Sequence, residues 1–208
     1  MNIGAISYSI SAFTFLIFLA ILLTDKHKGS TKQALLIAAS INCLWSFYLA
    51  YQSLISADVV HVSVFEYFKS ISWLILLVQL LCLACTNRFK SSTITKAQYG
   101  LFIVSCLLIV PVVFQYFNDD LFFIKQQEYL IALNLLITII GIVLVEQVYR
   151  NTRSEQKWAI KYLCLGLLGM YIYDFYMYAD ALLYQRIDTV LWDARGFVYA
   201  LIVPLLGV

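Results

Sequence analysis

The sequence predicts an all-α membrane protein: a bundle of seven transmembrane helices with the N-terminus outside, a truncated seventh helix, and a C-terminus directed to the cytoplasm. Three observations predict it. Apolar runs of about 20 residues, enough to cross a ~30 Å hydrocarbon core, recur along the whole chain. The 208 residues are 62% hydrophobic and 12% charged, with mean hydropathy +0.85, far from the roughly 25% charged residues of soluble proteins. The positive charges also fall in every second polar stretch. Lys26, Lys28, Lys32, Arg88, Lys90, Lys96, Arg150, Arg153, Lys157 and Lys161 mark one side, against Lys69, Lys125, Arg186 and Arg195 on the other. Short loops rich in Lys and Arg stay cytoplasmic, which fixes the orientation.

The spans follow in order. The first runs from about Ile3 to Leu23 and the second from about Gln33 to Ile55. The third covers about Glu66 to Thr86, the fourth about Ala97 to Phe117 and the fifth about Glu128 to Val148. The sixth covers about Trp158 to Tyr184, and the seventh begins near Trp192 and is cut off at Val208. About fifteen residues in that last span reach roughly 22 Å, short of the bilayer core, so a cytoplasmic continuation is expected. The first basic residue, Lys26, follows the first apolar run. A signal peptide needs its positive region ahead of that run, so the first helix is expected to remain in the mature protein. Tyr48, Tyr51, Tyr67, Tyr116 and Tyr129 near one set of helix ends, with Tyr99, Tyr149, Trp158 and Tyr162 near the other, suit interfacial aromatic belts.

Connections of no more than roughly a dozen residues leave no room for an extramembrane sensor domain, so a recognition site must lie among the helices or at their mouths. The net charge of +2, spread over helix ends rather than gathered on one face, argues against a nucleic-acid partner. Cys43, Cys82, Cys85, Cys106 and Cys164 lie inside apolar runs, where free cysteine behaves as a small hydrophobe. Cys82 and Cys85 have the spacing of a redox or metal pair, with neither a second pair nor a nearby histidine. His27 and His61 fall on opposite sides of the membrane, so no metal site is expected.

A carboxylate at bilayer depth costs about 2.5–3.5 kcal/mol on insertion scales and is a functional candidate for that reason. Asp174 is the deepest, about 20 Å from Lys161 at the helical rise. Asp180 lies six residues on, about 240° around the helix, so the two carboxylates face different directions. Asp174 shares its face with Tyr171, Tyr178 and Ala181, and Asp180 shares its own with Tyr173, Tyr176 and Tyr184. Among the cations of that side, Lys69, Arg186 and Arg195, the last is best placed to meet Asp180 across a short connection. Asp174, Tyr178, Asp180 and Arg195 are therefore the candidate ligand- or signal-sensing residues. Three roles stay open for them: mutual satisfaction that locks the sixth span in place, a polar sensing pocket, and a proton path. Glu146 and Arg150 stand at i,i+4 and form a structural ion pair. Gly166 and Gly169 offer a small surface for close helix approach.

Other classes fail on particular residues. A retinal protein needs a Schiff-base lysine in its last helix, and Arg195 to Val208 has none. Neither Cys85-Thr86-Asn87-Arg88-Phe89 nor Val203-Pro204-Leu205-Leu206 matches a G-protein-coupled receptor signature. Broken helix pairs of the transporter kind and the HExxH, GxSxG and phosphate-loop motifs are missing, so no catalytic centre is expected.

The second half of the chain carries a resemblance. Glu146-Gln-Val-Tyr-Arg-Asn151, Lys157-Trp-Ala-Ile-Lys-Tyr-Leu-Cys-Leu-Gly166 and Tyr173-Asp-Phe-Tyr-Met-Tyr-Ala-Asp-Ala-Leu-Leu-Tyr184 follow in order. Trp192-Asp-Ala-Arg-Gly196 and Val203-Pro-Leu-Leu206 complete the set. Over residues 146–206 the chain resembles the N-terminal membrane region of PrsK-type sensor histidine kinases, which belong to the PEP-CTERM/exosortase system of exopolysaccharide-producing Gram-negative bacteria. The first 145 residues match in hydropathy alone, apart from a loose likeness around Leu44-Trp45-Ser46. The resemblance implies that residues 1–208 are a polytopic input domain in the inner membrane, with GAF-like and kinase domains beyond 208. ATP and Mg would be bound there, and no cofactor is expected in this chain. The bilayer, a homodimer formed through the full-length kinase and a cognate response regulator are the implied partners. From a different class, a small ion-coupled transporter or channel using Asp174 is the alternative.

Overall fold

A computed structural model describes residues 2–24, 29–55, 64–84, 123–152 and 157–206. It is all-helical, with α1 (Ile3–Thr24), α2 (Ser30–Ile55), α3 (Val64–Ala84), α4 (Phe123–Asn151), α5 (Lys157–Tyr184) and α6 (Thr189–Leu206). Five of these, all but α5, are long and apolar enough to cross a membrane. The count of seven is not reached among the described residues: α4, α5 and α6 are the fifth, sixth and seventh predicted spans, and the fourth, about Ala97 to Phe117, lies outside them, as do Cys85 and Cys106.

Helix ends follow local chemistry. Asn2 opens α1, its side-chain oxygen accepting from the backbone N–H of Ala5 at 3.5 Å, as an N-cap does. The same side chain donates to the carbonyl of Ser53 near the end of α2. Asp188 caps α6 by accepting from the N–H groups of Val190 at 2.8 Å and Leu191 at 3.4 Å. That cap starts α6 three residues before the predicted Trp192 and gives it 18 residues, about 27 Å at the helical rise. The predicted start near Trp192 is corrected accordingly. Between α5 and α6 the chain turns in four residues, with Gln185 at φ 51°. This is the left-handed position that follows a helix end and usually falls to glycine.

Neighbouring helices close a ring: α1 packs on α2, α2 on α3, α3 on α4, α4 on α5, α5 on α6, and α6 back on α1. Pairings between Ser11 and Ser46, Trp45 and Glu66, and Asn42 and Trp73 show α1, α2 and α3 alternating in direction. Ser7 and Gly4 both meet the first turns of α6, so α6 runs parallel to α1. Contacts of Glu66 with Tyr178 and Lys69 with Asp174 make α3 antiparallel to α5. Gly141 on α4 meets the Tyr171 ring of α5, and the groove farther along joins Glu146 to Lys161, so α4 too opposes α5. It follows that α3 and α4 point the same way, leaving Ala84 and Phe123 at opposite ends of the bundle.

Glycine decides two helix crossings. A Cβ on Gly196 would lie 2.5 Å from the backbone carbonyl carbon of Ser7, so α6 touches α1 backbone to backbone. One on Gly166 would meet Ile202, Leu205 and Leu206 at 3.2–3.3 Å. These close approaches replace the bulk that Leu or Ile would insert.

The polarity of the bundle is inverted relative to a soluble protein. Phe13, Leu16, Ile17, Ile37, Leu44, Leu165 and Leu201 are exposed, while Asn42, Glu66, Lys69, Asn134, Asp174 and Arg195 are buried. Helices apolar on their outward faces and polar within suit a surrounding of lipid. The chain is a multi-pass membrane protein on this evidence.

Candidate functional site

Four formal charges meet in the middle of the ring, toward the end where α1, α3 and α6 begin. Glu66 and Lys69, three residues apart on α3, share one face of that helix. Asp174 projects from α5 and Arg195 from α6. All four are buried to within 1% of full enclosure, and their formal charges sum to zero.

Each carboxylate oxygen is occupied. Arg195 Nε donates to Asp174 Oδ1 at 2.8 Å, and its Nη1 donates to Glu66 Oε2 at 2.8 Å. The guanidinium fork therefore spans carboxylates on two different helices with donors fixed in one plane. Lys69 lies 3.3 Å from Asp174 Oδ2 and 3.6 Å from Glu66 Oε2. The hydroxyl of Tyr199 donates to Asp174 Oδ2 at 2.6 Å and accepts from Lys69 at 2.7 Å. Tyr178 donates to Glu66 Oε2 at 2.8 Å and accepts from Arg195 Nη2 at 3.3 Å. The remaining oxygen, Glu66 Oε1, accepts from the indole N–H of Trp45 at 2.8 Å.

Aromatic rings replace water around these groups. Lys69 Nζ stands 4.3 Å from the Trp45 ring centroid and 4.7 Å from that of Tyr199. The guanidinium carbon of Arg195 lies 4.9 Å from Trp45 and 5.4 Å from Tyr199. Ring quadrupoles favour cations at such distances, more strongly where water is excluded. Trp45 also packs edge-on to Tyr8 at 5.6 Å, whose hydroxyl donates to the carbonyl of Trp192 on α6 at 2.7 Å. The cluster thus ties α2, α3, α5 and α6 directly, with α1 attached through Tyr8.

Three of the four sensing candidates, Asp174, Tyr178 and Arg195, meet here. The predicted pairing of Arg195 with Asp180 is corrected to Asp174 and Glu66. Asp180 is half-buried and takes no part in the cluster. It stands near the right level but on a different face of α5, whereas Tyr178, four residues from Asp174, keeps to the inward one. Glu66, Trp45 and Tyr199 were not among the sequence candidates. Glu66 carried a usable signal, since a carboxylate three residues before Lys69 within an apolar span calls for a common partner. Glu146 and Arg150 lie 3.2 Å apart, both more than half exposed. Cys43 and Cys164 are buried free thiols, and Cys82 is half-buried. Among the described residues no group of three or more His, Cys, Asp or Glu could hold a metal.

Chemically, the arrangement is a saturated lock. Removal of any one member leaves the others uncompensated in a dry interior, where an unpaired charge is far more costly than the pair is stabilising. No protein-family model matches the chain, and neither a curated protein nor a solved structure matches it.

Proposed function

We propose that this chain is the membrane-embedded signal-input module of a two-component sensor histidine kinase, relaying an envelope or exopolysaccharide-related signal through α5 and α6. In this reading it lies in the bacterial inner membrane as seven spans, N-terminus outside, with α6 leading into cytoplasmic GAF-like and kinase domains. ATP and Mg belong to those domains, as do homodimerisation and contact with a response regulator. The resemblance of residues 146–206 supports the kinase class.

The observation that carries the relay is the way α6 is held. Arg195 and Tyr199 fasten it to carboxylates and a lysine on two other helices. A signal shifts an equilibrium only by its differential affinity for two arrangements. A mutually dependent charge cluster supplies two, intact or opened, with little stable ground between them. An ion-coupled carrier using Asp174 fits less well, because Arg195, Tyr199 and Lys69 already occupy both of its oxygens.

The test uses the full-length protein in membrane vesicles supplied with labelled ATP. Asp174→Asn is expected to change basal autophosphorylation several-fold while membrane yield stays within about twofold. Equal autophosphorylation at equal yield leaves the cluster a structural role only. A pH-dependent ion flux through the purified protein in liposomes, lost in Asp174→Asn, transfers the protein to the carrier class.

A further inference from the structure

At the end of the bundle opposite the charge cluster, α4 and α5 diverge around a groove of about 420 Å³. This is within the ~300–1,000 Å³ usual for ligand sites. Its walls are apolar, formed by Ile142 and Val145 on α4 and Leu165 and Leu168 on α5. Its mouth is polar, with Tyr149, Glu146 and Lys161. From Lys161 to Leu168 it runs about 10 Å along the helix axis toward the middle of the bundle.

Among the described residues the mouth carries a net positive charge. Lys157 and Lys161, at i,i+4, share a face of α5. Each ammonium is held against an aromatic ring, Lys157 at 5.8 Å from the Tyr149 centroid and Lys161 at 5.8 Å from that of Trp158. The nearby carboxylate of Glu146 is engaged with Arg150 at 3.2 Å. Among the described residues neither lysine meets a carboxylate. Cations poised at the end of an apolar furrow on a lipid-facing surface complement a molecule with an anionic head and a hydrocarbon tail. Exposed Trp158 beside them suits the headgroup boundary.

We infer that the α4–α5 groove binds an anionic phospholipid, its phosphate held by Lys157 and Lys161 and one acyl chain lying along Ile142, Val145, Leu165 and Leu168. The site is separate from the charge cluster and independent of what the cluster does.

Trp158 makes the test direct. Of the four tryptophans, Trp45 and Trp73 are 0% and Trp192 4% exposed, against 69% for Trp158, so lipid-borne quenchers report chiefly on the groove mouth. The full protein is reconstituted in phosphatidylcholine vesicles containing a small fraction of acyl-brominated phosphatidylglycerol or, in parallel, acyl-brominated phosphatidylcholine. Brominated phosphatidylglycerol is expected to quench at roughly tenfold lower mole fraction, and Lys157→Gln/Lys161→Gln to abolish that preference. Lys157→Arg/Lys161→Arg keeps it. Val145→Phe, which fills the furrow and leaves every charge in place, is expected to weaken it several-fold. Equal quenching by the two lipids overturns the proposal. So does a preference unchanged in the double glutamine variant. A preference that the glutamines remove and Val145→Phe leaves intact overturns the groove as the site, because surface attraction alone then accounts for it.

Discussion

Two ionic sites in this molecule join the same kinds of group at similar distances and stand in opposite environments. Arg150 and Glu146, 3.2 Å apart with side chains 69% and 59% exposed, sit one turn apart near the end of α4. Arg195 lies 2.8 Å from both Glu66 and Asp174, with none of the three side chains more than 2% exposed. Charges 4 Å apart attract by about 1 kcal/mol in water and by about 4 kcal/mol at the effective dielectric of a protein site. Each charge taken from water also loses several kcal/mol of hydration. The outer pair can therefore be broken at little cost, and the inner group stands or falls together. Distance alone does not distinguish them. Enclosure does.

The largest expected effect tests that enclosure. Arg195→Ala leaves Glu66 and Asp174 with Lys69 as their sole cation, a change expected to destabilise the bundle by about 3–5 kcal/mol. Thermal unfolding in a membrane mimetic, followed by dye labelling of the buried thiols Cys43 and Cys164, measures it. Arg195→Met combined with Glu66→Gln restores formal neutrality and is expected to recover more than half of the loss. A loss below about 1 kcal/mol in the single variant would mean that the inner group is solvated like the outer pair.

Next in size is a comparison between glycines. Gly196→Ala places a methyl group 2.5 Å from the Ser7 backbone, which cannot rotate aside as a side chain can. Overpacking of this kind costs about 1–3 kcal/mol. It is expected to part α1 from α6 and loosen the hydrogen bond from Tyr8 to Trp192. Gly169→Ala is the control, since its nearest atom is Ile202 Cδ1 at 3.8 Å. There the helix preference for alanine, roughly 1 kcal/mol over glycine, is expected to leave stability unchanged or raised. The same thiol-labelling melt reads both variants, and equal effects would show that the α1–α6 contact is looser than its geometry.

The contrast between the two charge sites also explains what the sequence made legible. Apolar runs locate the helices because lipid imposes a length on each span, and six of the seven predicted spans coincide with helices among the described residues. Asp174 and Arg195 stand out because charge within a span is rare and costly. Their pairing does not stand out: linear proximity favours Asp180, whereas packing around the ring brings in Glu66 from α3, 129 positions away from Arg195. Glu66 stands out less because it lies at the predicted start of its span, where a carboxylate can be exposed and need no partner. Trp45 and Tyr199 are hard to single out in a chain with 15 tyrosines and 4 tryptophans, since an aromatic residue inside a span looks the same whether it faces lipid or a cation. The early start of α6 was legible in Asp188, a strong N-cap residue one place ahead of the helix. The Glu146–Arg150 pair is legible because it is local, fixed by helical spacing and independent of the tertiary fold.

That local pair supplies the smallest expected effect and the sharpest control. Glu146→Gln removes one charge from a solvated i,i+4 pair, a contribution of about 0.3–0.5 kcal/mol. Raising salt from low to physiological concentration is expected to erase most of that difference, because the Debye length falls to about 8 Å and exposed charges are screened. The Arg195→Ala penalty is expected to persist at the same salt, because its charges are shut away from mobile ions. Paired melts of the two variants across a salt series separate these behaviours without any knowledge of the signal or ligand. Parallel salt dependence in both would place water and ions inside the cluster. A flat response for Arg195→Ala beside a vanishing one for Glu146→Gln assigns the holding of α6 to the enclosed charges and leaves the outer pair a minor role on the surface of α4.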